Sequence, residues 1–228
     1  MPRFAEARPL LDLYLPTAAL QQEIFDARLP ASLGPAPLLD FFPRLLEIVR
    51  RRGPKALFHA GEATPPTELS LVAFWQGERD VREGAQFYAR ALLQPWVTLL
   101  RAASAPLEHE WGTGEDCPFC SAAPAAAVMR DGRRSLWCGL CGGECGFAGA
   151  GCSCCGEPDE SRRTAFRNED AEHVYADACD TCGTYIKTID LSADEEAIPA
   201  VDEMVTLGLN LWAEESGYRK REPNLLGM

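Results

Sequence analysis

The sequence lacks the features that mark membrane and secreted proteins. Its 228 residues include no apolar run of the roughly 20 residues that a membrane-spanning helix needs, so we expect no membrane insertion. Residues Met1–Pro9 carry an early acidic residue and two prolines, and no apolar stretch with a small-residue cleavage site follows them. A cytoplasmic location is therefore the expectation.

Catalytic motifs are also missing from the sequence. The chain has three histidines, His59, His109 and His173, which are scattered and belong to no recognisable nucleophile or metal motif. It contains no Gly-x-x-x-x-Gly-Lys-Ser/Thr phosphate loop and no Gly-x-Ser-x-Gly nucleophile elbow. Because the abundant carboxylates are typical of a solvated surface, we expect a protein that is not an enzyme.

Basic charge is scarce, and most strongly so in the second half. The net charge is −12, and residues 111–228 hold 10 Lys/Arg against 21 Asp/Glu, whereas residues 1–110 hold 12 against 13. An acidic surface repels phosphate backbones, so we expect no nucleic-acid partner.

Cysteine, in contrast, is abundant and regularly placed. Eight of the ten cysteines form four Cys-x-x-Cys pairs within a 66-residue stretch. The pairs are Cys117/Cys120, Cys138/Cys141, Cys152/Cys155 and Cys179/Cys182. In a reducing cytosol such pairs favour metal ligation over a disulfide scaffold or simply buried thiols, and two pairs complete one four-sulfur cage. The sequence therefore predicts two metal ions.

The spacing favours pairing the motifs in sequence order. The first two pairs are separated by 17 residues and the last two by 23, whereas a crossed cage would span ten residues between Cys141 and Cys152. Glycine follows the second cysteine in three motifs, where a left-handed backbone turns amides toward sulfur, and Ser121 should strain the remaining turn slightly. Zinc and iron both accept this donor set.

Two cysteines, Cys145 and Cys154, are left over. Cys154 adjoins Cys155, but two residues between ligands is the usual motif, so Cys152 and Cys155 are the better pair. The two extra residues are either small, partly buried side chains or redox-sensitive or alternative ligands.

An α+β fold is predicted, with a helical N-terminal domain over residues 1–110. Apolar spacing and stop signals indicate several helices. The first helix is predicted to begin at Thr17, which would be its N-cap. Three further helices are predicted over Pro37–Arg52, Pro66–Trp75 and Asp80–Ser104, and the last of them is expected to kink at Pro95. These apolar residues are typical of a helix-bundle core.

Beyond the helices, two tandem rubredoxin-like or zinc-ribbon modules are predicted at 111–150 and 151–228. Each module reads as Cys-x-x-Cys turn, hairpin, Cys-x-x-Cys turn and exit strand, and the first hairpin turn is Asp131-Gly132. A C-terminal helix is predicted over Pro199–Ser216. The basic segment from Tyr218 is expected to be a solvated tail, with a local contact to an acidic surface as the alternative.

Residues 117–228 resemble the formate dehydrogenase accessory protein family of the FdhE type. The resemblance is carried by Cys117-Pro-Phe-Cys120, Leu136-Trp-Cys-Gly-Leu-Cys141, Cys152-Ser-Cys-Cys155, Cys179-Asp-Thr-Cys-Gly-Thr-Tyr-Ile-Lys187, Glu214-Glu-Ser-Gly-Tyr218 and Pro223-Asn224. It implies a cytoplasmic, chaperone-like protein that binds the catalytic subunit of formate dehydrogenase during maturation. It also implies that the two centres hold iron, although the same four-sulfur donor set accepts zinc. The alternative from another class is a rubredoxin-like electron carrier.

Overall fold

Helices occupy the N-terminal part of the chain and a β-sheet follows them, which gives an α+β fold. The fold is seen in a computed structural model that describes residues 7–78, 84–105, 110–169 and 171–227. The N-terminal helices are α1 (Arg8–Asp26), α2 (Phe42–Arg52), α3 (Lys55–Ala63), α4 (Glu68–Trp75) and α5 (Ala85–Ala102). Short 3-10 helices at Ala31–Leu33 and Ala36–Phe41 connect α1 to α2.

Local sequence signals determine where α2 and α4 end and begin. Three arginines close α2, where positive charge suits the helix terminus, and the Gly53 N–H donates to the Val49 carbonyl at 2.8 Å. At the start of α4, the Ser70 N–H donates to Thr67 Oγ1 at 3.2 Å and the Thr67 N–H donates to Ser70 Oγ at 2.8 Å. This reciprocal cap satisfies N–H groups that have no partner inside the helix.

Helix α5 is the centre of the helical core. It packs against α1, α2, α3 and α4, and most of its first three turns are buried. Two of its aromatic side chains place their polar atoms on backbone carbonyls: Tyr88 Oη donates to Leu57 O at 2.8 Å and Trp96 Nε1 donates to Leu29 O at 3.0 Å. The helix continues across Pro95.

The structure corrects the helix predictions at two places. Thr17 does not cap α1 but lies inside it, buried, with its hydroxyl donating to the Leu13 carbonyl at 2.8 Å. Helix α3 was not predicted, because Gly53-Pro54 was interpreted only as the signal that ends α2. Pro54 is also the residue that immediately precedes α3. The predicted helix from Asp80 begins at Ala85 in the structure, and residues 79–83 lie outside the described residues.

A mixed β-sheet follows the helices. Its strands are β1 (Pro124–Arg130), β2 (Arg133–Cys138), β3 (Glu144–Gly146), β4 (Arg163–Asn168), β5 (Ala171–Cys179), β6 (Thr184–Asp190) and β7 (Arg219–Lys220). The strand order is β3-β2-β1-β6-β5-β4, and β7 pairs with β6. Asp131 and Gly132 both have positive φ, 50° and 74°, as the tight turn between β1 and β2 requires.

The two cysteine-containing hairpins lie in one continuous sheet. Strand β1 of the first hairpin pairs in parallel with β6 of the second, with Ala126 opposite Lys187 and Met129 opposite Asp190. All other pairings between neighbours in the order are antiparallel. The domain boundaries at residues 110 and 150 remain a prediction. The β1–β6 pairing, however, joins the two predicted modules by main-chain hydrogen bonds across the boundary at residue 150.

The C-terminal helical region consists of two helices, α6 (Pro199–Val205) and α7 (Leu207–Glu215). The break is at Thr206, whose hydroxyl donates to the Asp202 carbonyl at 2.7 Å. Gly217, with a φ of 87°, follows α7 as predicted. None of the helices in the described parts of the chain combines the length and the apolar character needed to cross a membrane.

The segment after Tyr218 is not a solvated tail, and that prediction is wrong. Arg219 and Lys220 form β7, and Glu222 and Asn224 are buried. Arg221 donates to the Gly114 carbonyl at 2.7 Å. In this segment Lys220 pairs with Glu203, Arg221 with Asp116 and Glu222 with Arg90 of α5.

Candidate metal centres

The four Cys-x-x-Cys turns have the same backbone geometry. In each, the N–H of the residue after the second cysteine donates to the carbonyl of the first, and that residue has positive φ. These pairs are Ser121 to Cys117 (2.8 Å), Gly142 to Cys138 (3.0 Å), Gly156 to Cys152 (2.9 Å) and Gly183 to Cys179 (2.8 Å). Ser121 adopts a φ of 58°, which an L-residue occupies at a cost, as the sequence predicted.

The first group of sulfurs comprises Cys117, Cys120, Cys138 and Cys141. Cys138 is the last residue of β2, and the turn that carries Cys117 precedes β1, so the hairpin brings the two turns together. The Sγ atoms of Cys117 and Cys141 are 3.6 Å apart, and those of Cys120 and Cys138 are 3.4 Å apart.

The second group comprises Cys152, Cys155, Cys179 and Cys182. Cys179 ends β5, and the turn that contains Cys182 leads into β6. The Sγ atoms of Cys152 and Cys182 are 3.8 Å apart, and those of Cys155 and Cys179 are 3.7 Å apart.

Both groups have the dimensions of a tetrahedral four-sulfur metal site. In each, the four sulfur atoms lie within 4.8 Å of one another. Four sulfurs about 2.3 Å from a central zinc ion define a tetrahedron with edges of about 3.8 Å, close to the sulfur–sulfur distances of both groups. The geometry corresponds to the sequential pairing of motifs, and the donor set fits zinc or iron.

The thiols of the first group are hydrogen-bonded to one another, which shifts their pKa values in opposite directions. Hydrogen bonds from the other thiols, that of Cys120 first, lower the pKa of Cys117. The bond to Cys117 correspondingly raises the pKa values of Cys120 and Cys138. A dication binds thiolates, so metal loading would displace these protons together.

In the second group, burial raises the pKa of Cys152 to about 12. Burial also raises the pKa of Cys182, but hydrogen bonds from the hydroxyl and backbone N–H of Thr184 outweigh it and hold this pKa at about 7. Thr184 Oγ1 lies 2.9 Å from Cys182 Sγ. This sulfur is therefore prepared to act as a thiolate ligand.

Backbone amides donate to sulfur in both groups. The Gly143 N–H donates to Cys141 Sγ at 3.3 Å, and the Cys154 N–H donates to Cys152 Sγ at 3.4 Å. Such bonds stabilise anionic ligands and orient them toward the metal.

The remaining cysteines and the described histidines lie outside both groups. Cys145 is buried on β3 and Cys154 is half-buried in a turn. His59 is exposed, 3.5 Å from Glu62, and His173 Nε2 lies 2.9 Å from Asp202 Oδ1. His109 is outside the described residues.

Sequence reasoning missed a buried ionic cluster beside the sheet. Glu203 on α6 accepts from Lys220 and lies 3.3 Å from Lys187 Nζ, and all three side chains are almost fully buried. Burial lowers the pKa of Lys187 to about 8. A lysine inside the apolar strand Tyr185–Ile189 was the available signal, since a buried cation needs a partner.

Comparison with known proteins points to one family. The family model described as "FdhE, C-terminal domain" matches residues 151–226. An FdhE homolog of Aquifex aeolicus is 28% identical over 200 residues, covering 84% of this chain and 70% of the relative. One of Pseudomonas aeruginosa is 30% identical over 194 residues, covering 71% of this chain and 62% of the relative.

The fold is shared with a solved structure of such a protein. The crystal structure of the FdhE protein from Pseudomonas aeruginosa superposes with a TM-score of 0.67 and 23% sequence identity, covering 91% of this chain and 79% of that one. At this identity the superposition shows a common fold. Together with the sequence matches and the two four-cysteine groups, it makes this chain similar to FdhE proteins in both sequence and fold.

Proposed function

We propose that this protein is a cytoplasmic, chaperone-like accessory protein that binds the catalytic subunit of formate dehydrogenase during maturation. The observation that carries the proposal is the pair of four-cysteine groups within an FdhE fold. Its eight metal ligands would be Cys117, Cys120, Cys138, Cys141, Cys152, Cys155, Cys179 and Cys182.

The chemistry of these sites supports a role other than catalysis. A metal held by four sulfurs has no open position for a substrate, so each ion would cross-link its hairpin. The free energy of metal binding at such sites adds to the stability of the folded chain. Iron is favoured by the family resemblance, and zinc fits the same donors.

Capture of the client tests the proposal. The tagged full chain, expressed in its native host without oxygen, is expected to co-purify with the formate dehydrogenase catalytic subunit. The matched control is a Glu23→Gln variant, which alters only the exposed Arg44 pair and should capture the same partner. Repeated failure with well-folded, metal-loaded bait would exclude the proposed partner.

A rubredoxin-like electron carrier is the second candidate. It is favoured by the exposure of Cys155, because a ligand sulfur at the surface gives electrons a short path to a partner. This function requires iron with a reversible one-electron couple. Metal analysis that finds only zinc in anaerobically purified protein would rule it out.

A further inference from the structure

The two four-cysteine groups differ sharply in their access to solvent. In the first group, Cys117 and Cys120 are each 3% exposed, Cys141 is 1% exposed and Cys138 is fully buried. In the second group, Cys152 and Cys179 are also buried, at 7% and 2%, but Cys155 is exposed and Cys182 is half-buried. Two sites with the same donors thus have different surroundings.

The first group is enclosed by the main core of the protein. Its cysteines belong to the same apolar cluster as the buried residues of α5, and Leu140, between two of the ligands, is 1% exposed. Phe119 packs against this cluster and lies under the Arg101 guanidinium of α5, 5.8 Å from it. Almost no surface of these four cysteines is therefore open to an incoming ligand.

The second group lies outside that core. The turn with Cys152 is held mainly by main-chain hydrogen bonds. The Cys152 N–H donates to the Glu157 carbonyl at 3.1 Å, and the Gly114 N–H donates to the Ser153 carbonyl at 2.9 Å. The turn is buried from Gly151 to Ser153 and reaches solvent at Cys154 and Cys155, so this edge of the group opens locally at less cost than a packed core.

Carboxylates follow two ligands of the second group closely in sequence: Glu157 is two positions after Cys155, and Asp180 is next to Cys179. Glu157 accepts from the Thr181 hydroxyl at 2.5 Å. Asp159 and Asp180 are exposed nearby, and Asp180 accepts from Tyr218 at 2.5 Å. Basic side chains lie beside the group as well, but residues 111–228 hold 21 Asp/Glu against 10 Lys/Arg, so the surface of this part of the chain attracts cations.

From this asymmetry we propose that the two sites have different roles. The first is a structural site that retains its metal, and the second is an exchange site that takes up and releases a thiophilic divalent cation through the face with Cys155. Release to an acceptor leaves four thiolates, which take up protons from solvent, and no change of oxidation state is involved. The inference rests on the metal binding in the proposed function and adds a division of labour to it.

Metal transfer to a chelator tests the difference. The full chain is loaded with two equivalents of Zn²⁺ and mixed with excess of a chromophoric chelator. We expect one equivalent to leave in a fast phase and the other in a separate slow phase. Release of both equivalents in a single phase, or failure to load zinc, would overturn the proposal.

Alkylation identifies which site empties first and needs no variant. The reaction is stopped after the fast phase, treated with iodoacetamide and mapped by peptide mass spectrometry. Modification confined to the second group, apart from the non-ligand Cys154, is the expected result. Modification of Cys117 or Cys120, alone or to the same extent, would refute the assignment.

A variant pair gives a second readout. Cys155→Ser should lose the fast equivalent and keep the slow one, whereas Cys154→Ser, one position away, should keep both. Client capture is measured separately on the loaded wild-type chain. Two release phases without a client would overturn only the maturation role, and client capture with one release phase would overturn only the division between sites.

Discussion

Arg90 of α5 is buried against Glu222 of the C-terminal segment, with Arg90 Nη2 donating to Glu222 Oε1. The two residues are 132 positions apart, and their side chains are 2% and 5% exposed. The pair joins the helical region to the end of the chain. Because both charges are removed from water, each depends on the other.

Removing one member of this pair should destabilise the protein strongly. In Arg90→Ala, the Glu222 carboxylate would lose its buried cation, and we expect the free energy of unfolding to fall by about 3–5 kcal/mol. Urea denaturation followed by circular dichroism measures it. The exposed pair Arg44–Glu23, at 2.6 Å, provides the control, and Arg44→Ala should leave the midpoint close to that of the wild type. Equal effects of the two variants would contradict this prediction.

The buried Lys187 should make stability depend on pH above neutrality. Burial lowers its pKa from 10.5 to about 8, so the unfolded chain binds more protons between these values. The contribution of Lys187 to stability is therefore lost as pH falls through about 8 and is recovered as pH rises toward 10.5. Glu203 and Lys220 face it and keep their own contact.

Lys187→Met isolates this effect, because the other titrating groups are common to both proteins. The stability of the wild type relative to the variant should increase between pH 8 and pH 10, as measured by urea denaturation at each pH. A difference that is constant with pH, or that decreases, would show that Lys187 does not titrate there.

The cysteine turns were predictable because each is determined by a few adjacent residues. Two cysteines separated by two residues, followed by glycine, specify the turn, and Asp131-Gly132 specifies the hairpin that follows. Apolar spacing and the Gly53-Pro54 stop located the end of α2 in the same local way.

Contacts between distant parts of the chain were not predictable in this way. The parallel pairing of β1 with β6 joins segments about sixty residues apart and has no local signal. The segment around Lys220 and Glu222 is polar enough for a solvated tail, and only its partners, Glu203 and Arg90, explain its burial. The sequence around Thr17 does not distinguish two roles of its hydroxyl. The hydroxyl can cap the start of a helix, or it can donate to the carbonyl four residues earlier inside a helix, as it does here to Leu13.

Ser121 should be a site of mild backbone strain. It has a φ of 58° where the three equivalent turns have glycine, so Ser121→Gly should stabilise the metal-loaded protein by up to about 1 kcal/mol. Gly183→Ala is the reciprocal change. An added Cβ there meets nothing within 4 Å, so its expected cost of about 1 kcal/mol comes from the backbone alone. Thermal unfolding of both variants checks the opposite signs, and shifts of the same sign would contradict the strain.

Metal content should follow the assignment of ligands. The purified chain is expected to bind two metal ions, measured by elemental analysis against protein concentration. Cys120→Ser removes one sulfur from the first group and should reduce the content to about one ion, with loss of stability because that site lies in the core. Cys145→Ser changes a buried thiol in the same module that belongs to neither group, so it should retain both ions. If Cys145→Ser also loses one ion, Cys145 is a ligand and the first group has been assigned wrongly.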